Sequence, residues 1–112
     1  MQSGQWRFDA VCETLPPHVS GARYVEPTTH GSMRLGIYGP RMHDPQQPHD
    51  QDELYIVQKG TGTFWCEGRA RSFGPGDVLF VAAGVEHRFE GFTDDFAAWV
   101  VFWGPKGGEG AA

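Results

Sequence analysis

At 112 residues, 39% of them apolar, the chain is long enough for one domain with its own core and too short for two. A net charge of −5 excludes the basic stripe that a nucleic-acid partner requires, and no run of about 18 apolar residues is present to span a bilayer. Sixteen glycines and eight prolines interrupt the chain often, which suits short strands joined by tight turns rather than long helices.

The first ten residues, MQSGQWRFDA, carry neither the charged nor the apolar segment of a secretory leader, so a cytoplasmic location is expected. Cys12 and Cys66 are too few and too far apart for a disulfide framework and read as reduced, buried thiols. Trp6 and Phe8 alternate with polar neighbours, as in a short strand. Leu15-Pro16-Pro17 then halts any regular element, since proline lacks the amide hydrogen. Arg23-Tyr24-Val25 suits another short strand. Over Met33 to Tyr38 the alternation puts Met33, Leu35 and Ile37 on one face and Arg34, Gly36 and Tyr38 on the other. His18, His30 and His43 lie in loop-like stretches and read as surface histidines. Arg41 offers a weak attraction for an anionic substrate.

The stretch Gln47 to Gly60, QPHDQDELYIVQKG, changes character halfway. Leu54 to Val57 is the apolar, β-branched run of a buried strand, and His49 and Glu53 stand at its threshold. Burying an unpaired charge costs more than packing returns, and a shared metal ion removes that penalty. On a straight strand the two residues would lie roughly 13 Å apart, at about 3.3 Å per residue. Asp50-Gln51-Asp52 must therefore bend. Beyond it, Thr61 to Cys66 and Arg69 to Phe73 form strands around a hairpin tip at Glu67-Gly68. Val78 to Val81 is a second apolar run, Ala82-Ala83-Gly84 bends the chain, Val85 to Phe89 carries His87, and Ala97 to Trp103 is the last strand. The tail 105–112, PKGGEGAA, is flexible by composition. Turn signals about every 8–12 residues indicate an antiparallel sandwich or barrel. This gives one domain over 1–104 with its metal-binding core at about 33–103.

A closed barrel would bring His87 to His49 and Glu53 from another strand. Two histidines and one carboxylate form the ligand type that leaves positions open on non-haem iron(II). Gln47 can add its amide oxygen to them. The other reading is a His49–Glu53 salt bridge at the barrel mouth. Tyr55, two residues beyond Glu53, faces the cavity. It can donate a proton or orient a substrate, or serve as a core tyrosine bonded to a backbone group. Phe89 and Tyr38 read as cavity lining, and Cys66 as a small core residue.

Two stretches carry a resemblance. Gln47-Pro48-His49-Asp50-Gln51-Asp52-Glu53, six residues and Gly60 resemble the first cupin motif, G-x5-H-x-H-x(3,4)-E-x6-G. Gly76, five residues and Ala82-Ala83-Gly84-Val85-Glu86-His87 resemble the second, G-x5-P-x-G-x2-H-x3-N. The resemblance implies an all-β fold, a small antiparallel barrel or jelly roll (the double-stranded β-helix), with a divalent metal held by His49, Glu53 and His87. Four positions depart from it: Gln47 replaces the first histidine, Arg41 a glycine, Ala82 the proline and Gly91 the asparagine. An amide in place of an imidazole favours iron(II) or manganese(II), with zinc, nickel and copper as the other candidates. The implied function is that of a metal-dependent dioxygenase-like or isomerase-like enzyme acting on a small molecule, or of a non-catalytic module binding a small ligand. Leu54 and Ile56 face away from the ligands and the last strand is apolar on both faces, so a homodimer through strand surfaces is expected.

Overall fold

Side chains alternate in and out along each apolar run. In the computed structural model, which describes residues 3–110, that alternation closes two antiparallel sheets on each other. The larger sheet runs, edge to edge, through β1 (Tyr24–His30), β2 (Met33–Tyr38), β8 (Ala97–Trp103), β3 (Asp52–Lys59) and β6 (Val78–Val81). The smaller runs through β5 (Arg69–Phe73), β4 (Gly62–Cys66) and β7 (His87–Glu90). This is the expected antiparallel jelly roll. Glu67 and Gly68 take positive φ at the tip joining β4 to β5, as a tight hairpin turn requires.

The central strand β8 shows how sequence becomes layer. Ala98, Val100 and Phe102 are buried between the sheets, while Trp99, Val101 and Trp103 point outward and are half-buried. On β3, Glu53, Tyr55 and Val57 face inward, and Leu54 and Ile56 outward. The interior is largely aromatic. Phe89 meets Phe96 at 4.7 Å between ring centroids, and Phe64 and Tyr55 at 5.0 Å each, in the tilted and edge-on arrangements that ring quadrupoles prefer.

Gly60, the last residue of the first motif, has φ +86°, and a Cβ there would lie 2.6 Å from the Phe96 Cα. Only glycine allows β3 to end against that segment.

The N-terminal reading needs correction. Phe8 belongs to a short helix, α1 (Phe8–Cys12), rather than a strand. Phe8, Val11 and Cys12 recur at helical spacing and pack on the outer face of the large sheet, around Leu15, Ile37, Ala97 and Trp99. The Phe8 and Trp99 rings meet edge-on at 5.6 Å. Two alternating residues cannot distinguish a strand from the start of a helical turn. Among the described residues, no helix is long and apolar enough to cross a membrane.

The tail, expected to be flexible, is hydrogen-bonded as far as Glu109. The Gly107 amide donates to Asp50 O (2.8 Å) and the Glu109 amide to Asp52 Oδ2 (3.0 Å).

Candidate metal centre

The loop before β3 and the turn between β6 and β7 are tied directly to each other. Gly84 N donates to His49 O (2.7 Å), and Ala83 N to Asp52 Oδ1 (2.9 Å). Asp50 and Gln51 bend the chain, so His49 turns back over Glu53, and β7 delivers His87 opposite Cys66 of β4. One ligand atom from each of His49, Glu53 and His87 lies within 4.8 Å of the other two. Segments far apart in sequence thus converge on a single point.

Glu53 is 1% exposed, and neither of its carboxylate oxygens has a hydrogen-bond partner among the described residues. Oε1 is 3.0 Å from His87 Nε2 and 3.9 Å from His49 Nε2. These are close electrostatic contacts, not aligned hydrogen bonds. A buried carboxylate left in this state is costly, and a cation bound between the two rings removes the cost. His87 is prepared for that role. Its Nδ1–H donates to Val85 O (2.9 Å), which in the neutral ring leaves Nε2 as the unprotonated nitrogen that can ligate. The three residues therefore fit a divalent metal.

The two imidazoles differ in basicity. Burial would lower His87, but the Glu53 carboxylate and the Val85 carbonyl outweigh it and hold its pKa above the ordinary 6.5. At His49 burial prevails over the attraction of Glu53, and the pKa falls below 6.5. Burial, followed by the Glu53 charge, pushes the Tyr55 hydroxyl well above 10. Tyr55 is thus a neutral phenol, with its oxygen 3.0 Å from both His87 Nε2 and Gln46 Oε1.

Gln47, the expected fourth donor, is exposed; the amide turned toward the histidines is that of its neighbour, Gln46. Gln46 Nε2 donates to Asp44 Oδ2 (2.8 Å), which points Oε1 at Tyr55 and at His49 Nε2 (3.2 Å). Asp44 is itself buried. It also accepts from the Tyr38 hydroxyl and from the Phe89 amide at 2.8 Å. The sequence offered little to separate Gln46 from Gln47, because the two-residue alternation of a strand does not extend into an irregular loop.

A cavity of about 220 Å³ opens beside the set, lined by Tyr24, Arg34, Tyr38, Gln46, His49 and Phe102 among others. Tyr38 lines it as expected. Phe89 instead belongs to the closed aromatic core. His18, His30 and His43 are exposed. Arg41 lies away from the cavity, paired through its backbone with Gly21. Cys66 is buried and Cys12 half-buried, both free thiols. Arg34 escaped the sequence reading, although a signal was present: alternation places it on the same face of β2 as Tyr38.

Residues 35–103 match the family model for the cupin domain. Over 85 residues the chain is 32% identical to an uncharacterised protein of Streptomyces coelicolor, spanning 74% of this chain and 81% of that one. A Cupin 2 conserved barrel domain protein from Salinispora arenicola has a similar structure, with a TM-score of 0.66 at 21% identity over 93% of this chain and 90% of that one. So does a protein of Ralstonia eutropha provisionally named a mannose-6-phosphate isomerase, with a TM-score of 0.68 at 20% identity over 92% of this chain and 98% of that one. At such identities the two structures speak for the fold.

Proposed function

The chain belongs to the cupin family, and from that premise we propose that it is a metal-dependent enzyme acting on a small molecule. His49, Glu53 and His87 hold one divalent cation, iron(II) or manganese(II), beside the cavity. The observation that carries this is Glu53, a buried carboxylate between two imidazoles with neither oxygen hydrogen-bonded to any described residue. Once bound, such a cation supplies a Lewis-acid centre with open coordination positions, the type used in oxygen chemistry.

The rest of the work falls to the chain. The aromatic wall of Tyr24, Tyr38 and Phe102 excludes water from one side of a bound molecule. Tyr55, held neutral by burial, gives its one hydroxyl proton to Gln46 Oε1 and stands beside the set as a neutral phenol rather than a base. Gln46 fixes the direction of that hydroxyl. No described side chain in the cavity is poised to abstract a carbon-bound proton. This supports dioxygenase-like chemistry over isomerisation, the activity for which the Ralstonia eutropha protein is named.

Metal analysis of aerobically purified protein, followed by oxygen-uptake assays with catechols, β-diketones and thiols, tests the reading. One equivalent of iron or manganese per chain, lost in Glu53→Gln, is expected, with uptake on at least one substrate class. A chain that takes up no metal from anaerobic iron(II) or from manganese(II) refutes the proposal. Metal binding without uptake on any class leaves the isomerase-like enzyme or the non-catalytic ligand-binding module.

A further inference from the structure

One feature of the cavity is not explained by the metal set. Among the described residues that line it, Arg34 is the lone permanent charge in a wall of aromatic, aliphatic and amide groups. It is held from three directions. Its Nε donates to Glu26 Oε1 (2.8 Å), its Nη1 reaches Gln51 Oε1 (3.3 Å), and its Cζ lies 4.7 Å from the centre of the Phe102 ring. A surface arginine gains little from a single exposed ion pair, yet this one, 41% exposed, is fixed in place. Nη2 takes part in neither of these bonds, the two side-chain hydrogen bonds the guanidinium makes among the described residues, and is left as a donor. The Phe102 ring in turn meets the His49 ring edge-on at 5.1 Å between centroids. A single phenyl ring thus separates the guanidinium from an imidazole of the metal set.

We propose that Arg34 receives the carboxylate of a small, largely apolar acid whose other end reaches the His49–Glu53–His87 set. This rests on the cavity being the route to that set. Size and charge both restrict the ligand. A cavity of about 150 Å³ admits benzene, so about 220 Å³ has room for one ring or a short branched chain bearing a carboxylate. The planar guanidinium matches carboxylate geometry. Glu26 already offsets part of its charge, which leaves too little to balance a phosphate dianion in an otherwise uncharged wall. A divalent cation held by two neutral imidazoles and one carboxylate carries one net positive charge, and a monoanion neutralises it.

Benzoate, its neutral counterpart benzamide, and phenyl phosphate serve as probes. Each is titrated calorimetrically into metal-free and nickel-loaded protein, for the wild type, Arg34→Gln and Arg34→Lys, with metal content measured on the same samples. The wild type should prefer benzoate over benzamide by about tenfold or more, including in the metal-free state. Arg34→Gln should reduce that preference to about twofold or less, and Arg34→Lys should keep part of it. Equal binding of benzoate and benzamide, no benzoate binding at millimolar concentration, or an undiminished preference in Arg34→Gln overturns the proposal. Tighter binding of phenyl phosphate than of benzoate overturns the carboxylate assignment. An Arg34-dependent preference in a chain that binds no metal upholds the anion site while the metal reading fails. Full metal loading without the preference removes the anion site alone.

Discussion

Glu53 is the residue at which metal binding and folding pull in opposite directions. The isosteric change Glu53→Gln removes a buried charge and with it the one anionic ligand. Metal at a hundredfold excess over its dissociation constant should stabilise the wild type by about 2.7 kcal/mol. Glu53→Gln should show no metal-dependent gain, and its metal-free form should melt no lower than metal-free wild type; paired thermal melts check both. The two histidines set the pH dependence. His87 is raised above 6.5, so its proton persists to higher pH and competes with the metal there, whereas His49, lowered, is already neutral. As pH falls through the raised His87 value, apparent affinity should drop with a one-proton slope, about tenfold per unit. The slope should steepen only at lower pH, where His49 also takes up a proton. Manganese titrations from about pH 5.5 to 8 give the slope directly.

The elements were legible in the sequence wherever a strand-forming run was closed off by turn residues. β2, β5, β6 and β8 begin and end where the sequence predicts: β2 by its period of two, the other three by the glycine, proline and polar turns that bound them. Legibility failed at α1, where the periodic stretch is too short. It failed again at Gln46, whose direction is set by Asp44, a residue that no local pattern marks as buried. Arg34 was placed on the correct face but given no role, since a strand pattern carries no information about what stands opposite. Gly36 shows how closely β1 and β2 are fitted. A Cβ there would lie 2.3 Å from Tyr24 Oη, because the Tyr24 side chain lies across that glycine as it lines the cavity. Gly36→Ala should therefore destabilise the protein by about 1–3 kcal/mol, read from denaturant midpoints. It should also weaken benzoate and benzamide binding together as the Tyr24 ring is displaced, unlike the selective loss expected of Arg34→Gln.

At the scale of the whole molecule, the described residues cover the outer face of the larger sheet on one half only. α1 lies over Ile37 and Trp99. Across β3, β6 and β8, Leu54, Ile56, Val101 and Trp103 remain half-buried, and Val78 and Phe80 are 58% and 56% exposed. β6 is also an edge strand. Its open backbone edge adjoins the apolar patch, so a two-fold axis there lets a second copy cover both at once. We expect a homodimer by light scattering at micromolar concentration, and Phe80→Glu should convert it to a monomer; a monomeric wild type removes this expectation without touching the site. β8 imposes a further condition on the molecule. Its consecutive residues serve opposite sides, Ala98, Val100 and Phe102 within and Trp99, Val101 and Trp103 without, so the strand is apolar all round and no polar face penalises a slip. Bulk alone locks it, since a shift by one residue would drive Trp99 into space fitted to Ala98. In a library of variants selected for folding, residues 97–103 should accept many exchanges of one apolar side chain for another and scarcely any insertion or deletion.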